Sequence, residues 1–360
     1  MRRPAEPRAA ARWPALSLPI TPPFPPMEAR LVEALPAGEG WVFEPKWDGF
    51  RCLAYRDSET VALQSKAGQP LARYFPEIVA ALVRLPARRF VLDGELLVPT
   101  DSGFSFDDLL QRLHPAASRI QRLAAETPGL LLAFDLLVDE GGDTLVELPL
   151  AERRSRLESF AEKYLEAEGR VRLSPATTDR TLAEAWLRDP GALKLDGVIA
   201  KRAAAAYASG ERTAMQKVKR MRTADCVVGG FRYAADGRQV GSLLLGFYDG
   251  EGRLHHVGFT SSFNAAQRAT LLPTLRPFLG GAGFTGHAPG GPSRWASERS
   301  GQWEPLRPAL VCEVRYDHWS GDRFRHGTTF LRWRPDKAPR TVTFDSFRES
   351  SGERRAADDA

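Results

Sequence analysis

The sequence predicts a chain in two parts, an α+β domain followed by a smaller domain built mainly from strands. Three observations carry this. A chain of 360 residues, 43% of them hydrophobic, can bury a substantial core and suggests about two domains. From Trp41 onward, short β-rich runs alternate with helical stretches. Beyond about Arg222 the pattern changes to strands interrupted by one helix.

In chain order, residues 1–40 hold the densest proline usage, including Pro22, Pro23, Pro25 and Pro26, which excludes regular helix and favours an extended arm lying on the domain. Partial disorder is expected before Trp13. Strands are predicted at Trp41–Glu44, Phe50–Tyr55, Phe90–Leu97 and Leu130–Leu137, and a long helix over Glu152–Ala167 with Leu157, Phe160, Tyr164 and Leu165 on one face. These belong to a first domain over 41–221. A second, over 222–345, has predicted strands at Cys226–Tyr233, Ser242–Tyr248, Leu254–Phe259, Leu310–Tyr316 and Phe330–Arg334, with a helix from Ala265 to Phe278 opened by Asn264 as N-cap. Five strands and one helix are the inventory of an OB-fold β-barrel. Gly280–Pro292 reads as a long loop inside it, and residues 346–360, polar from Glu349 on, as a disordered tail.

Composition excludes several classes. No stretch approaches the roughly 18 apolar residues of a membrane span, and Pro4, Glu6, Pro7 and Arg8 interrupt any export signal that Arg2 and Arg3 could open. A cytoplasmic, nucleoid-associated location without membrane contact is expected. Cys52, Cys226 and Cys312 stand far apart with no Cys-x-x-Cys pair, so they read as small buried hydrophobes rather than disulfide or zinc partners. The net charge of +5 suits a polyanionic partner.

The chemistry concentrates in short strings. Glu44-Pro45-Lys46-Trp47-Asp48-Gly49-Phe50-Arg51 places a lysine between a strand end and an Asp-Gly turn. A lysine amine attacks only when deprotonated, so neighbouring cations or burial should lower its pKa. In isolation Lys-x-Asp-Gly is equally a surface lysine beside a turn. The chain adds Asp93-Gly94-Glu95, read as a second Asp-Gly turn followed by a carboxylate, and Asp196-Gly197-Val198-Ile199-Ala200-Lys201 as a third. Gln216-Lys217-Val218-Lys219 then alternates two lysines onto one face of a strand. Cations to bind a triphosphate and carboxylates to hold Mg²⁺ are the parts that phosphoryl chemistry requires.

These strings resemble those of the covalent nucleotidyltransferases, and within them the short stand-alone ATP-dependent DNA ligases of bacteria, of the ligase C kind. The resemblance runs from about Pro19 to Phe344 and includes Ser65-Lys66, Ala133-Phe134-Asp135 and Arg332-Trp333-Arg334-Pro335-Asp336-Lys337. It implies an adenylation domain of antiparallel sheets and helices, an OB-fold domain after it, ATP as AMP donor and Mg²⁺ (or Mn²⁺) as cofactor. It makes Lys46 the nucleophile that takes AMP. Glu44 would face the adenine edge, Arg51 and Glu95 the ribose and neighbouring phosphate, Phe134 the adenine ring, and Lys217 and Lys219 the α-phosphate. Lys66 and Lys201 join the nucleotide contacts, and Glu95 and Asp196 become the metal carboxylates. Arg334, Asp336 and Lys337 would orient the pyrophosphate. Two positions depart from the family: Asp196 stands where Glu is usual, and Lys66 where Arg is more frequent, which loses the bidentate fork.

The implied reaction is nick sealing in duplex DNA during repair, by a monomer whose partners include nicked duplex DNA and potentially a repair polymerase or end-binding protein. Arg220, Arg222, Arg315, Arg323 and Arg325 are candidate phosphate contacts. Gly280–Pro292 is either a clamp over DNA or a purely structural loop. An mRNA-capping guanylyltransferase shares Lys-x-Asp-Gly and the barrel, an NAD-dependent ligase would need modules this length leaves no room for, and a catalytically idle nucleic-acid-binding subunit would be expected to lose Lys46.

Overall fold

The computed structural model describes residues 13–351 apart from 102, 189–194, 236 and 291–301. The chain divides into two compact units, 1–220 and 221–360. The first contains β1 (Arg30–Val32), β2 (Trp41–Lys46), β3 (Phe50–Asp57), β4 (Thr60–Ser65), α1 (Pro76–Arg84), β5 (Arg89–Leu97), β6 (Pro99–Thr100), β7 (Gly103–Phe104), α2 (Phe106–Gln111), α3 (Ala117–Glu126), β8 (Leu130–Val138), α4 (Leu150–Tyr164), β9 (Val171–Leu173), α5 (Arg180–Arg188), β10 (Gly197–Arg202) and β11 (Met215–Lys219).

Its strands form a four-stranded sheet, β1-β11-β10-β2, and a five-stranded sheet, β4-β3-β5-β8-β9. Period-2 alternation gives each sheet two apolar faces. Cys52, Ala54 and Leu92 face α1 and α4, where Ile78, Leu82, Leu157 and Phe160 complete a core. Leu53, Tyr55 and Val91 point the opposite way and meet Met215 and Ile199 of the other sheet. On the far side of that sheet, Phe43, Val198, Ala200 and Val218 pack with Ala183 of α5. The two sheets therefore enclose a shared interior, and polar side chains of the same parity as Leu53, Val91 and Ile199 point into it.

The proline-rich segment from Trp13 on is part of this unit. Leu18, Ile20 and Met27 are buried in the shared core, Gln64 both donates to and accepts from the Phe24 backbone at 2.6 and 2.8 Å, and β1 pairs parallel with β11. Residues before Trp13, where disorder was expected, lie outside the described residues. Asp93-Gly94 is not a turn: both residues lie mid-strand in β5, with a register irregularity toward β8. Asp93 can sit buried in a strand because its charge is fully matched there, as described below. Helix α4 ends at Tyr164, short of the predicted Ala167.

The second unit holds β12 (Arg222–Tyr233), β13 (Val240–Tyr248), β14 (Leu254–Ser262), α6 (Ala265–Leu275), β15 (Glu304–Pro305), β16 (Val311–Tyr316), β17 (Trp319–Ser320), β18 (Arg323–Phe324), β19 (Thr328–Trp333) and α7 (Phe344–Ser351). Pairing runs β12-β13-β14-β19-β16 and returns to β12, with β14 and β19 parallel and the other pairs antiparallel. That is the strand circuit of an OB-fold. Asn264 caps α6 in a reciprocal capping box with Gln267.

One expectation is corrected here. Residues 346–351, placed in a disordered tail, belong to α7. Phe347 is buried against Phe247 and Trp319, with ring centroids at 4.9 and 4.4 Å, so burial of aromatic area anchors an otherwise polar segment. The described part of the long loop, through 290, packs on the barrel. Phe284 is buried in its core, Gly286 N–H donates to the Leu254 carbonyl at 2.9 Å, and His256 N–H to that of His287 at 2.8 Å. Pro292 lies outside the described residues.

Candidate active site

Parity places the site between the two sheets of the first unit. Glu44 and Lys46 on β2, Lys201 on β10, and Lys217 and Lys219 on β11 alternate with residues buried toward α5, so they face the shared interior. Arg51 on β3, and Asp93 and Glu95 on β5, share a face with Leu53, Tyr55 and Val91.

Register then sets the spacing. Gly197 lies opposite both Lys46 and Lys219, and Ile199 opposite both Glu44 and Lys217. Gly197 takes a φ of +151°, and a Cβ there would sit 2.0 Å from the Val218 carbonyl oxygen, so only glycine lets these three strands align. Asp196, just before it, is fixed at both backbone ends, its N–H donating to Lys46 at 3.1 Å and its carbonyl accepting from Arg220 at 3.0 Å. Its carboxylate thereby reaches Lys46 Nζ at 2.6 Å. On the other flank Gly49 lies against β5, where a Cβ would meet the Leu96 carbonyl at 2.2 Å, and its N–H donates to Glu95 Oε1 at 3.2 Å. Trp47 is buried and donates to Ser174 Oγ at 2.9 Å, which locks the loop carrying Lys46.

The electrostatics correct one expectation. Burial works to lower the pKa of Lys46, but Asp196, with Glu95 and Asp48, outweighs it and raises the pKa, so the amine is held protonated. The lysine with a lowered pKa is Lys217, through burial and then through Lys46, Lys219, Lys66 and Arg212. Those same side chains form a cationic group able to receive a polyphosphate. Lys66 is paired with Glu28 at 3.0 Å, and Glu28 also holds Arg212 at 2.8 Å.

Glu44 and Lys201 form a fully buried ion pair at 2.8 Å. Glu44 Oε1 has no hydrogen-bond partner, and burial raises the carboxyl's pKa. An orphan acceptor beside an aromatic ring is what an amino-bearing base would satisfy. Phe134 supplies the ring, with Lys201 Nζ and the Arg51 guanidinium carbon 4.6 and 4.5 Å from its centroid.

Arg51 is paired inside the site. Its Nε and Nη2 donate to Asp93 Oδ1 and Oδ2 at 2.5 and 2.6 Å, and the Tyr207 hydroxyl donates to Asp93 Oδ2 at 2.6 Å. Sequence reasoning missed Asp93 and Tyr207 as site supports. Glu95 is half-buried, and burial pushes its carboxyl up to about 7 against the pull of Arg51 and Lys46.

Arg334, Asp336 and Lys337 lie in the second unit, after β19. Arg334 is gripped by Asp336 on one edge and by Asp225 of β12 at 2.8 Å on the other, and Lys337 pairs with Asp225 at 3.1 Å. Among the candidate DNA contacts, Arg323 is exposed on β18, the Arg222 guanidinium carbon lies 5.2 Å from the Tyr316 ring centroid, and the Arg315 Nε atom is buried without a hydrogen-bond partner.

A family model for the ATP dependent DNA ligase domain matches residues 26–219, and one for the ATP dependent DNA ligase C terminal region matches 236–337. The chain belongs to the ATP-dependent DNA ligases. This ligase is 41% identical to DNA ligase C of Mycobacterium tuberculosis over 349 residues, covering 91% of this chain and 95% of that one. It is 32% identical to the multifunctional non-homologous end joining DNA repair protein LigD of the same species over 84% of this chain, which spans only 37% of LigD. A Lig E DNA ligase structure has a TM-score of 0.54 over 86% of this ligase and 99% of its own chain at 17% identity, a likeness that bears on the fold alone. No helix among the ligase's described residues is long and apolar enough to cross a membrane.

Proposed function

We propose that this ligase stores AMP on Lys46, passes it to the 5′-phosphate at a nick and lets the adjacent 3′-hydroxyl displace it, forming the phosphodiester. The observation that carries the assignment is Lys46 itself, paired with Asp196 and lying beside Lys217, which in turn has Lys219, Lys66 and Arg212 around it. In the first step Lys46 Nζ bonds to the α-phosphorus, the bond to pyrophosphate breaks, and the ammonium proton leaves, with Asp196 its nearest acceptor at 2.6 Å. Lys217 and Lys219 bind the α-phosphate oxygens. Glu44 Oε1 accepts from the adenine amino group, Phe134 stacks on the base, and Arg51, freed in part from Asp93, and Glu95 meet the ribose. Arg334, Asp336 and Lys337 orient the pyrophosphate.

Glu95, whose carboxyl pKa is raised by burial, and Asp196, which is paired with Lys46, both act on Lys46, and two carboxylates beside one phosphate-binding lysine fit a divalent cation. Among the described residues no group of three or more His, Cys, Asp or Glu side chains forms a metal cage, so an ion here would share its coordination with phosphates, as Mg²⁺ commonly does. When bound, Mg²⁺ (or Mn²⁺) would neutralise phosphate charge and offset the carboxylates that keep Lys46 protonated.

The resemblance to LigD, which is named for non-homologous end joining DNA repair, favours repair as the setting. We further propose a monomer in the cytoplasm that works beside a repair polymerase or end-binding protein. Glu44 favours adenine over guanine, against a capping enzyme. Nick sealing measured separately with ATP, GTP and NAD⁺ tests the reading. ATP alone should support sealing; protein labelling from GTP alone would replace it with a guanylyltransferase.

A further inference from the structure

Asp225 is a barrel residue to which no role has yet been given, and its surroundings are specific. It lies on β12 between buried Ala224 and Cys226, opposite Glu313 of β16, so its side chain projects from the outer face of the barrel. Glu313 lies opposite Arg332 of β19 and accepts from its Nε at 2.6 Å. Two residues on, Arg334 is anchored by its backbone N–H to the Val311 carbonyl at 2.8 Å, and Lys337 N–H closes a turn on the Arg334 carbonyl at 3.2 Å. This turn brings both cations to one carboxylate: Asp225 Oδ1 accepts from Arg334 Nη1 at 2.8 Å, and Oδ2 meets Lys337 Nζ at 3.1 Å. Arg334 and Asp225 side chains are 15% and 18% exposed, whereas Asp336 is 60% exposed, so the inner of Arg334's two carboxylate partners is Asp225.

Both cations are long and rotamer-rich, and an unrestrained one loses side-chain freedom when it is fixed. A single carboxylate that bridges them removes part of that loss beforehand and sets their separation. Its own negative charge would compete with an incoming polyphosphate, so Asp225 cannot be an anion ligand; it acts through the side chains it holds.

We propose that Asp225 is a positioning residue for lysine adenylylation, presenting Arg334 and Lys337 as a preformed pair to the pyrophosphate and serving neither AMP transfer nor strand closure. The proposal rests on the reading of Arg334 and Lys337 given above. Its test is a comparison of Asp225→Ala, Asp225→Asn, Glu313→Gln and Arg334→Ala in two assays with the full chain: single-turnover transfer of AMP from ATP to the protein, together with its reversal by added pyrophosphate, and closure of a nick that already carries 5′-AMP.

Asp225→Ala should slow transfer to the protein and its reversal by roughly 10- to 100-fold, as misplacement of a binding group does. Closure of the pre-adenylylated nick should stay within about twofold, a bound set by treating the barrel as intact. Asp225→Asn, which keeps the acceptor for Arg334 and loses the charge facing Lys337, should fall between. Glu313→Gln, the neighbouring carboxylate, should leave both assays unchanged. Equal slowing of both assays by Asp225→Ala would make the residue merely structural and overturn the proposal. So would an unaffected transfer step in Asp225→Ala while Arg334→Ala is slow. If Arg334→Ala is itself unimpaired, the reading beneath the proposal fails, and the proposal with it.

Discussion

Lys46 and Glu95 face each other with their protonation states set against catalysis: the amine is held charged by Asp196, and burial holds Glu95 up to about 7. The sign for stability follows from linkage. The folded carboxyl lies above its ordinary value of 4.5, so folding takes up a proton between those values. The stability Glu95 contributes is complete below about 4.5 and is lost as pH rises through about 7. Denaturant unfolding of nucleotide-free protein should therefore show Glu95→Gln gaining stability over the parent from about pH 5 to pH 8, while adenylylation collapses; a pH-independent difference would contradict the burial argument. Lys201→Ala leaves the Glu44 carboxylate buried without its counter-ion and should destabilise the protein by about 3 kcal/mol in the same experiment. At this scale the setting of Lys46, at the end of β2 and before Gly49, was legible because Glu44 to Arg51 are contiguous. Asp93 with Tyr207 and Asp225 with Arg334 were not, because their partners lie 114 and 109 residues away and nothing local marks the match. The direction of the Lys46 shift was also illegible, since it depends on the 2.6 Å contact with Asp196, 150 residues away.

Strands read well where short apolar, β-rich runs were unbroken, and β2, β3, β5 and β8 each extend the predicted span by a residue or two. Helix α6 was visible from its cap, and the capping box gives that residue a measurable share: Asn264→Ala should cost about 1 kcal/mol of barrel stability by urea titration. The Asp93-Gly94 pair misled because the dipeptide signals a turn only when its aspartate is solvated; here Arg51 pairs with it and Tyr207 donates to it in the middle of β5. Helix α7 was hidden because Phe344 and Phe347 sit among polar residues, and their worth depends on Phe247 and Trp319, which are remote in sequence. Phe347→Ala should lower stability by roughly 3–5 kcal/mol, a loss that a disordered tail could not produce.

For the whole chain, the two-part organisation was legible from the shift to strands near Arg222, and the structure divides the chain between 220 and 221. For residues 13–40 proline content reported an extended segment lying on the domain, but not how deeply Leu18, Ile20 and Met27 are buried in it. The net charge of +5 makes DNA affinity a salt-dependent quantity. If Arg323 contacts a phosphate, Arg323→Ala should weaken binding to nicked and intact duplex alike and reduce the slope of log affinity against log salt by about 0.9. The central claim is that AMP travels through Lys46. The measurement that tests it most directly is incubation of parent and Lys46→Ala protein with Mg²⁺ and α-labelled ATP, a denaturing gel, and a chase with nicked DNA. The parent should retain label that is discharged as the nick closes, and Lys46→Ala should take up none while still binding DNA. Label or ATP-driven sealing retained by Lys46→Ala would contradict the account.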